Sequence, residues 1–202
     1  MKTIGSTIIM LALASSLFAD NGKELKLASP DGTHEIVFYQ KQVSPAVNEL
    51  CYRVDYKSQP VVNESRAGLE LDNRIWEMAL GVRNLKQPAC WMDNLEVDSV
   101  TYQPETNLTW QPLYGERSSV RDHYRAGTLC LSKKDNSGYR LNIEVRAYNE
   151  GVAFRYFFPE HPKAIFHKVV GDLTEYALPA GTKAWTEQWA QAFFLSLIHI
   201  SE

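Results

Sequence analysis

The 202-residue sequence has only three cysteines, Cys51, Cys90 and Cys130, and they are widely spaced. This number excludes a disulfide framework, and the spacing fits no zinc-binding motif. At most one bridge can form, and we expect buried free thiols that pack as small hydrophobic side chains. The fold must therefore rest on a hydrophobic core, which the 45% of hydrophobic residues can supply.

The sequence also lacks an excess of positive charge. It has 21 Lys and Arg residues and 24 Asp and Glu residues, which gives a net charge of −3 at pH 7. A nucleic-acid-binding surface needs a basic patch, and a mature membrane span needs a longer apolar run than this chain contains. We therefore expect neither nucleic acid nor a membrane as a partner.

The common catalytic motifs are missing as well. The sequence contains no GxSxG, HExxH, CxxC, Walker or GxGxxG motif. His123 follows Asp122 and lies near Ser118 and Ser119, but neighbours in sequence do not make a catalytic triad. His161 and His167 flank a predicted strand, and we expect them to be ordinary surface or rim residues.

Paired carboxylates are the remaining candidates for chemistry. A glycosidase needs two carboxyl groups about 5–10 Å apart on opposite sides of a sugar, and the sequence alone places no such pair. The segment YGERSSVRDHY instead predicts a local salt-bridged loop made by Glu116, Arg117, Arg121 and Asp122.

The N-terminus has the features of a secretory signal peptide. Lys2 precedes an apolar run from about Ile8 to Phe18, and the small residue Ala19 comes before polar sequence. This pattern predicts a signal peptide over 1–19 that is cleaved before Asp20, and hence a periplasmic or secreted protein. The alternative is a buried N-terminal helix.

The rest of the chain alternates with the period of two that is typical of strands. Pro30-Asp31-Gly32 predicts a turn. The clearest hairpin is YRLNIEVRAYNEGVAFRYFFPE, with a predicted three-residue loop of Asn149-Glu150-Gly151. One face of its first strand carries Leu141, Ile143, Val145 and Ala147. We predict an all-β sandwich that forms one domain over residues 20–194.

Five tryptophans in an exported β-domain suggest stacking against sugars, although most buried tryptophans belong to a core. They are Trp76, Trp91, Trp110, Trp185 and Trp189. The residues alone thus indicate a secreted β-sandwich with a leaning towards carbohydrate.

Four segments between Leu25 and Trp189 carry a resemblance to a known family. They are LASPDGTHEIVF, YRVDYKSQPVVNESRAGLEL, TWQPLYGERSSVRDHY and LNIEVRAYNEGVAFRYFFPE. The most specific part is W-x-P-x-x-G-E…R-x-H-Y, followed at the right distance by R-A-Y-N-x-G-x-A-F-R-Y. In these segments the chain resembles the N-terminal domain of glycoside hydrolase family 97, a family of exported bacterial α-glycosidases.

The resemblance implies one domain of a larger enzyme. The domain would be a β-sandwich of the galactose-mutarotase-like supersandwich kind, followed by a catalytic (β/α)8 barrel and a small C-terminal β-domain. The whole enzyme would hydrolyse α-glucosides or α-galactosides with calcium in its active site. All catalytic carboxylates would lie in the barrel, so no catalytic residue is assigned to this chain.

The last eight residues, Leu195–Glu202, have no turn residue or cap before them. LSLIHISE matches the translation of a transposon-type sequencing adapter. We therefore expect residues 195–202 to be a non-native tail and the native sequence to be interrupted near Phe194, ahead of the barrel. The alternative is a native terminal strand.

The resemblance also implies that this domain contributes one acidic ligand to the calcium site, a little beyond the position matched by Trp185. Glu187 is the only carboxylate nearby and is the candidate metal ligand. Calcium prefers six to eight oxygens, so a single carboxylate holds it poorly and this chain alone is expected to bind no cofactor.

Two other functions stay open at this point. One is a free-standing carbohydrate-binding β-sandwich that was never joined to a barrel. The other is a mutarotase-like epimerase, which needs a histidine and a carboxylate over an open sheet face.

Overall fold

A computed structural model describes residues 23–73, 75, 78, 90–133, 138–161, 166–188 and 196–200, with the side chains of 185–188 and 196–200 left out. The predicted signal peptide, Trp76 and Trp189 lie outside these residues. The described strands are β1 (Leu25–Ala28), β2 (His34–Ser44), β3 (Val47–Tyr56), β4 (Gln59–Arg66), β5 (Leu69–Leu71), β6 (Leu95–Trp110), β7 (Val120–Lys133), β8 (Arg140–Tyr148), β9 (Gly151–Phe157), β10 (Val169–Asp172), β11 (Ala184–Gln188) and β12 (Ser196–Ile200).

Two antiparallel four-stranded sheets form the body of the domain, in the orders β1-β2-β3-β4 and β6-β7-β8-β9. The predicted turn at Pro30-Asp31-Gly32 joins β1 to β2, and Gly32 adopts the positive φ of 73° that glycine tolerates best. Asp31 fixes this turn, because its Oδ1 accepts hydrogen bonds from Thr33 N at 3.0 Å and Ser29 Oγ at 2.7 Å. These bonds, led by the one from Ser29, lower the pKa of Asp31 to about 2.

The first sheet is wider than its four strands, because the segment from β10 to Ala177 runs along its open edge. β10 pairs with β5, and the backbone N–H groups of Leu173 and Glu175 then donate to the carbonyls of Gly68 and Arg66. A Cβ on Gly68 would lie 2.9 Å from Leu173, so only glycine allows the two backbones to approach this closely.

The core lies between the two sheets. Most of its largest fully buried side chains come from β2, β3, β7 and β8, namely Phe38, Ile36, Tyr52, Leu129, Leu131, Leu141 and Ile143. Phe38 stacks on Tyr52 at a centroid distance of 5.3 Å, and Phe154 of β9 packs against both rings. The predicted all-β sandwich is confirmed.

The predicted hairpin is confirmed in its strands and wrong in its loop. Leu141, Ile143, Val145 and Ala147 are all buried, as the alternation indicates. Tyr148 pairs directly with Gly151, so the loop has two residues, Asn149 and Glu150, rather than three. Gly151 belongs to β9 as its first paired residue.

Two of the three cysteines belong to the buried part of the domain. All three thiols are free; Cys51 and Cys90 are buried as predicted, whereas Cys130 is partly exposed. Backbone pairing joins β12 to β11, from Ala184 opposite Ile200 to Gln188 opposite Ser196. An apolar strand of either origin pairs in this way, so the predicted non-native tail over 195–202 stays a prediction.

Candidate functional site

The most specific sequence motif folds into a two-stranded ribbon that projects beyond the sandwich. β8 pairs with β7 only as far as Tyr124, which lies opposite Tyr148. Beyond that point β6 and β7 continue as a pair, up to Trp110 opposite Val120. We call residues 104–124 the β6–β7 ribbon. In the described part of the chain, no third strand pairs with this ribbon beyond the Tyr124–Tyr148 pair at its base.

A bulge at the base of the ribbon redirects one carboxylate. Gln103 pairs with Ala126 and Thr106 with Tyr124, so Pro104 and Glu105 together face the single residue Arg125. Two residues opposite one define a β-bulge, which changes the direction of a side chain. The sequence analysis missed Glu105; a proline inside an alternating strand was the signal that could have found it.

Glu105 contacts a histidine of the ribbon and an arginine at the base of the ribbon. Its Oε1 lies 2.7 Å from His123 Nε2, and its Oε2 accepts from Arg125 Nε at 3.0 Å. The hydrogen bond to His123 and then that to Arg125 lower the pKa of Glu105. Arg125 also donates to the carbonyl oxygens of Ser29 and Pro30, each at 3.3 Å, which ties the ribbon to the β1–β2 turn.

This arrangement lacks the free carboxyl group with a raised pKa that acid–base catalysis on a sugar requires. Both oxygens of Glu105 are occupied, and a lowered pKa keeps the group ionised, whereas a general acid needs a raised one. His123 and Glu105 bond to each other and leave no space between them for a substrate. The mutarotase-like alternative requires such a space, so the structure brings its two residue types together without supporting its chemistry.

The other candidates in this hairpin are separated. Asp122 and His123 are consecutive residues of β7 and so point to opposite faces of the strand. Arg121 donates from Nε to Asn107 Oδ1 at 3.0 Å. The predicted salt-bridged loop is wrong, since among the described residues no ion pair joins any two of Glu116, Arg117, Arg121 and Asp122. The ion pair of this hairpin joins Glu105 to Arg125 instead.

The opposite face and the tip of the ribbon are apolar and exposed. Leu108 and Trp110 share one face, and 53% of the Trp110 surface is exposed. Leu113 and Tyr114 at the tip are almost fully exposed. Four large apolar side chains on one projecting element are a recognised feature of interaction surfaces.

Trp91 lies in an aromatic cluster at another end of the sandwich, and this cluster contains both histidines predicted to be at the surface. Trp91 packs edge-on against Tyr139 at 5.5 Å and Phe158 at 5.6 Å. His161 is buried against Tyr139, and His167 stacks on Phe158 at 4.2 Å. The surface-or-rim assignment is wrong for His161, which residues distant in sequence cover, whereas His167 is partly exposed, as a rim residue would be.

His167 is held neutral in this cluster. Burial, and next the charge of His161, lower its pKa to about 4. Asn73 accepts from the Lys168 N–H through Oδ1 at 2.9 Å, so its Nδ2 is left to donate to His167 Nδ1 at 3.2 Å. A proton on that nitrogen would abolish the hydrogen bond, which favours the same neutral form.

The calcium prediction finds no site among the described side chains. No group of three or more His, Cys, Asp or Glu side chains in that part of the chain could hold a metal ion. Glu187 lies on β11 opposite Leu197 in the backbone pairing, and its side chain, like that of Trp185, is outside the described set. The described side chains do not fit a calcium site, and Glu187 stays a prediction.

A comparison with family models decides the relationship of the chain. The model described as Glycosyl-hydrolase 97 N-terminal matches residues 27–194.

The chain belongs to the glycosyl hydrolase 97 N-terminal family.

Relatives of this glycosyl hydrolase 97 domain include complete enzymes. A retaining alpha-galactosidase of Bacteroides thetaiotaomicron is 26% identical over 178 residues, which cover 88% of this chain and 22% of that protein. A glycoside hydrolase family 97 enzyme from Pseudoalteromonas sp., solved with acarbose, matches with a TM-score of 0.65 at 24% identity, over 87% of this chain and 24% of that one. A beta-arabinopyranosidase shares the fold, with a TM-score of 0.65 at 17% identity over 84% of this chain and 24% of its own.

The glycosyl hydrolase 97 domain thus spans about a quarter or less of these relatives. Among the described residues no helix is long and apolar enough to cross a membrane. The ribbon and the aromatic cluster, at separate places in the domain, are its two most distinctive groups of side chains.

Proposed function

We propose that the chain is the non-catalytic N-terminal domain of a longer α-glycosidase and that it hydrolyses no glycoside by itself. The observation that carries this proposal is the family match over residues 27–194, set against coverage of only 22% of the curated relative. Most of such an enzyme, including the catalytic barrel, would lie outside this sequence.

The side-chain chemistry of the described residues supports the inert role. Glycoside hydrolysis needs a carboxylic acid with a raised pKa and a second carboxylate across the sugar. The carboxylate at the centre of the ribbon, Glu105, has a lowered pKa and is bound by His123 and Arg125. It is therefore suited to fixing the shape of the ribbon.

The proposed substrates of the whole enzyme are α-galactosides or α-glucosides. This follows from one relative that is a retaining alpha-galactosidase and another that was solved with acarbose. Export by the predicted signal peptide over residues 1–19 would place the enzyme in the periplasm or outside the cell, where such carbohydrates are met.

The apolar side of the β6–β7 ribbon is the surface we assign to contact with the barrel. Leu108, Trp110, Leu113 and Tyr114 are exposed, and the ion pairs of Glu105 and Arg125 hold the ribbon in one orientation. Burial of each such side chain against a partner contributes about 1.5–3 kcal/mol. Calcium belongs to the complete enzyme in this proposal, since the described side chains of this domain do not fit a site for it.

The proposal is tested by assaying purified 20–202 with p-nitrophenyl α-glucoside and p-nitrophenyl α-galactoside. We expect no turnover above the uncatalysed rate with either substrate, with and without calcium. Measurable hydrolysis that survives further purification would contradict the assignment of the chemistry to a missing barrel. Tight saccharide binding without turnover would favour a free-standing carbohydrate-binding module instead.

A further inference from the structure

A groove of about 1060 Å³ runs along the outer edge of β9. Every residue from Asn149 to Tyr156 lines it, whichever face of the strand its side chain is on. Successive side chains of a strand point to opposite faces, so a cavity over one face would contact only alternate residues. Continuous lining shows that the groove lies beside the backbone edge of β9.

The outer edge of β9 carries backbone N–H and C=O groups with which no described strand pairs. Among the described strands, β9 is the outermost strand of its sheet and pairs only with β8. Alternate residues of an edge strand direct their N–H and C=O groups away from the sheet. Within the described ranges, no strand pairs with these groups.

The floor of the groove is the inner face of the other sheet, which extends beyond β9. Val54 and Val62 lie on the floor. Three further lining residues are partly open to solvent: 44% of Val61, 40% of Tyr56 and 64% of Tyr176 are exposed. The segment after β10 widens this sheet beneath the groove, so one sheet of the sandwich is broader than the other. A largely apolar floor therefore lies next to an unpaired strand edge, although Asp172 and Thr174 also line the groove.

We propose that the groove receives one further β-strand, an extended segment with apolar residues at every second position, supplied by the part of the longer polypeptide outside this sequence. This inference rests on the proposed function. A strand meets both requirements at once, because its backbone pairs with β9 while alternate side chains cover the floor. A compact ligand would cover the floor and leave the row of β9 groups unpaired.

The dimensions agree with a strand. β9 has seven residues, from Gly151 to Phe157, and at about 3.3 Å per residue it offers roughly 23 Å of edge. The relatives carry more than three quarters of their length outside the region that this chain matches, so a donor segment is available in such an enzyme. A second copy of this chain would pair its own β9 edge with this one. The floor of the groove would then stay uncovered.

The first test uses the chain as it exists and one synthetic probe, acetylated and amidated Lys-Val-Thr-Val-Thr-Val-Thr-Lys. Its lysines suit the exposed Glu150 at one end of the groove. At a saturating excess of probe, we expect hydrogen exchange of alternate β9 amides, followed by NMR, to slow by about tenfold or more. The control probe has proline in place of the central valine and should slow none of them, because it lacks the donor in mid-strand.

A matched pair of variants locates the effect. Val61→Glu charges the groove floor, and Val43→Glu charges a β2 residue with similar exposure (48%) outside the groove. Both positions are partly exposed, so we expect both variants to fold with unchanged melting temperatures. Only Val61→Glu should weaken binding of the probe, with an increase in Kd of about tenfold, equivalent to about 1.4 kcal/mol.

Three results would overturn the inference. The first is unchanged β9 exchange at saturating probe. The second is protection of β9 without any probe in a chain that sediments as a dimer, which assigns the edge to a second copy. The third is a response of the groove residues to maltose or melibiose alone, which makes the groove a saccharide site.

The complete enzyme separates this inference from the proposed function. If the gene continues in frame, Val61→Glu should lower the melting temperature of the full-length protein and not that of the 202-residue chain. If Val61→Glu changes neither melting temperature, the proposed strand is refuted and the proposed function is unaffected. A gene that stops at Glu202 would refute the proposed function and the stated donor, whereas the probe result would still report on the groove.

Discussion

Trp91 and Trp110 occupy opposite environments in the same small domain. Trp91 is 2% exposed in the aromatic cluster, whereas Trp110 is 53% exposed on the ribbon. Trp91→Ala should leave a cavity and lower the free energy of unfolding by about 3–5 kcal/mol. Trp110→Ala should change it by no more than about 0.5 kcal/mol. Urea unfolding followed by far-UV circular dichroism measures both, and equal losses would show that one environment is wrongly assigned.

His167 should make the stability of the domain depend on pH. Its pKa in the folded chain is about 4, below the ordinary value of 6.5, so between these values the unfolded state binds more protons. His167 therefore makes its full contribution to the free energy of unfolding above pH 6.5. This contribution should decrease as the pH drops from 6.5 towards 4. Denaturant unfolding at several pH values between 6.5 and 4.5 measures the slope.

The matched variant for this effect is His167→Phe, which keeps an aromatic ring against Phe158 and removes the titrating group. Its slope between pH 6.5 and 4.5 should be visibly smaller than that of the wild type. An NMR titration of the His167 ring should show a midpoint near 4. A midpoint at or above 6.5 would contradict the buried, neutral state.

Single residues were predictable where local pattern decides their environment. Leu141, Ile143 and Val145 follow the alternation of their own strand. His161 was misassigned because its burial depends on Tyr139, whose proximity no local pattern reveals.

At the scale of elements, the β6–β7 ribbon is the feature that the sequence described least well. Its motif was recognised as specific, but the strand that continues through Pro104 and the bulge at Glu105 were not predicted. The length by which β6 and β7 extend beyond the sheet depends on where β8 ends, and the tertiary structure decides that. The hairpin of β8 and β9 was predictable because alternation and a glycine near its turn lie within one short segment.

The ribbon should also govern self-association of the isolated chain. Leu113→Ser combined with Tyr114→Ser removes the two most exposed apolar side chains of its tip. We expect this variant to show less concentration-dependent association in sedimentation velocity, with an unchanged melting temperature. Ile75→Ser, at another exposed apolar residue, is the control and should leave association unaltered. Identical association in all three proteins would remove the ribbon as the contact surface.

At the scale of the whole molecule, the sequence predicted the class of fold and the family, and both are confirmed. The sandwich follows from alternating strands with few helical signals. The unequal widths of the two sheets could not be foreseen, because the pairing of β10 with β5 joins segments about a hundred residues apart. The open β9 edge and the projecting ribbon are therefore findings of the structure, and both are surfaces that a larger enzyme would cover.

The central claim is that this domain is the front part of a longer glycosidase. The most direct measurement is to read the genomic locus beyond the codon for Phe194. The account predicts that the reading frame continues for several hundred codons, that residues 195–202 are replaced by other sequence, and that the continuation encodes a (β/α)8 barrel with paired catalytic carboxylates. A native stop codon directly after Glu202 would contradict it.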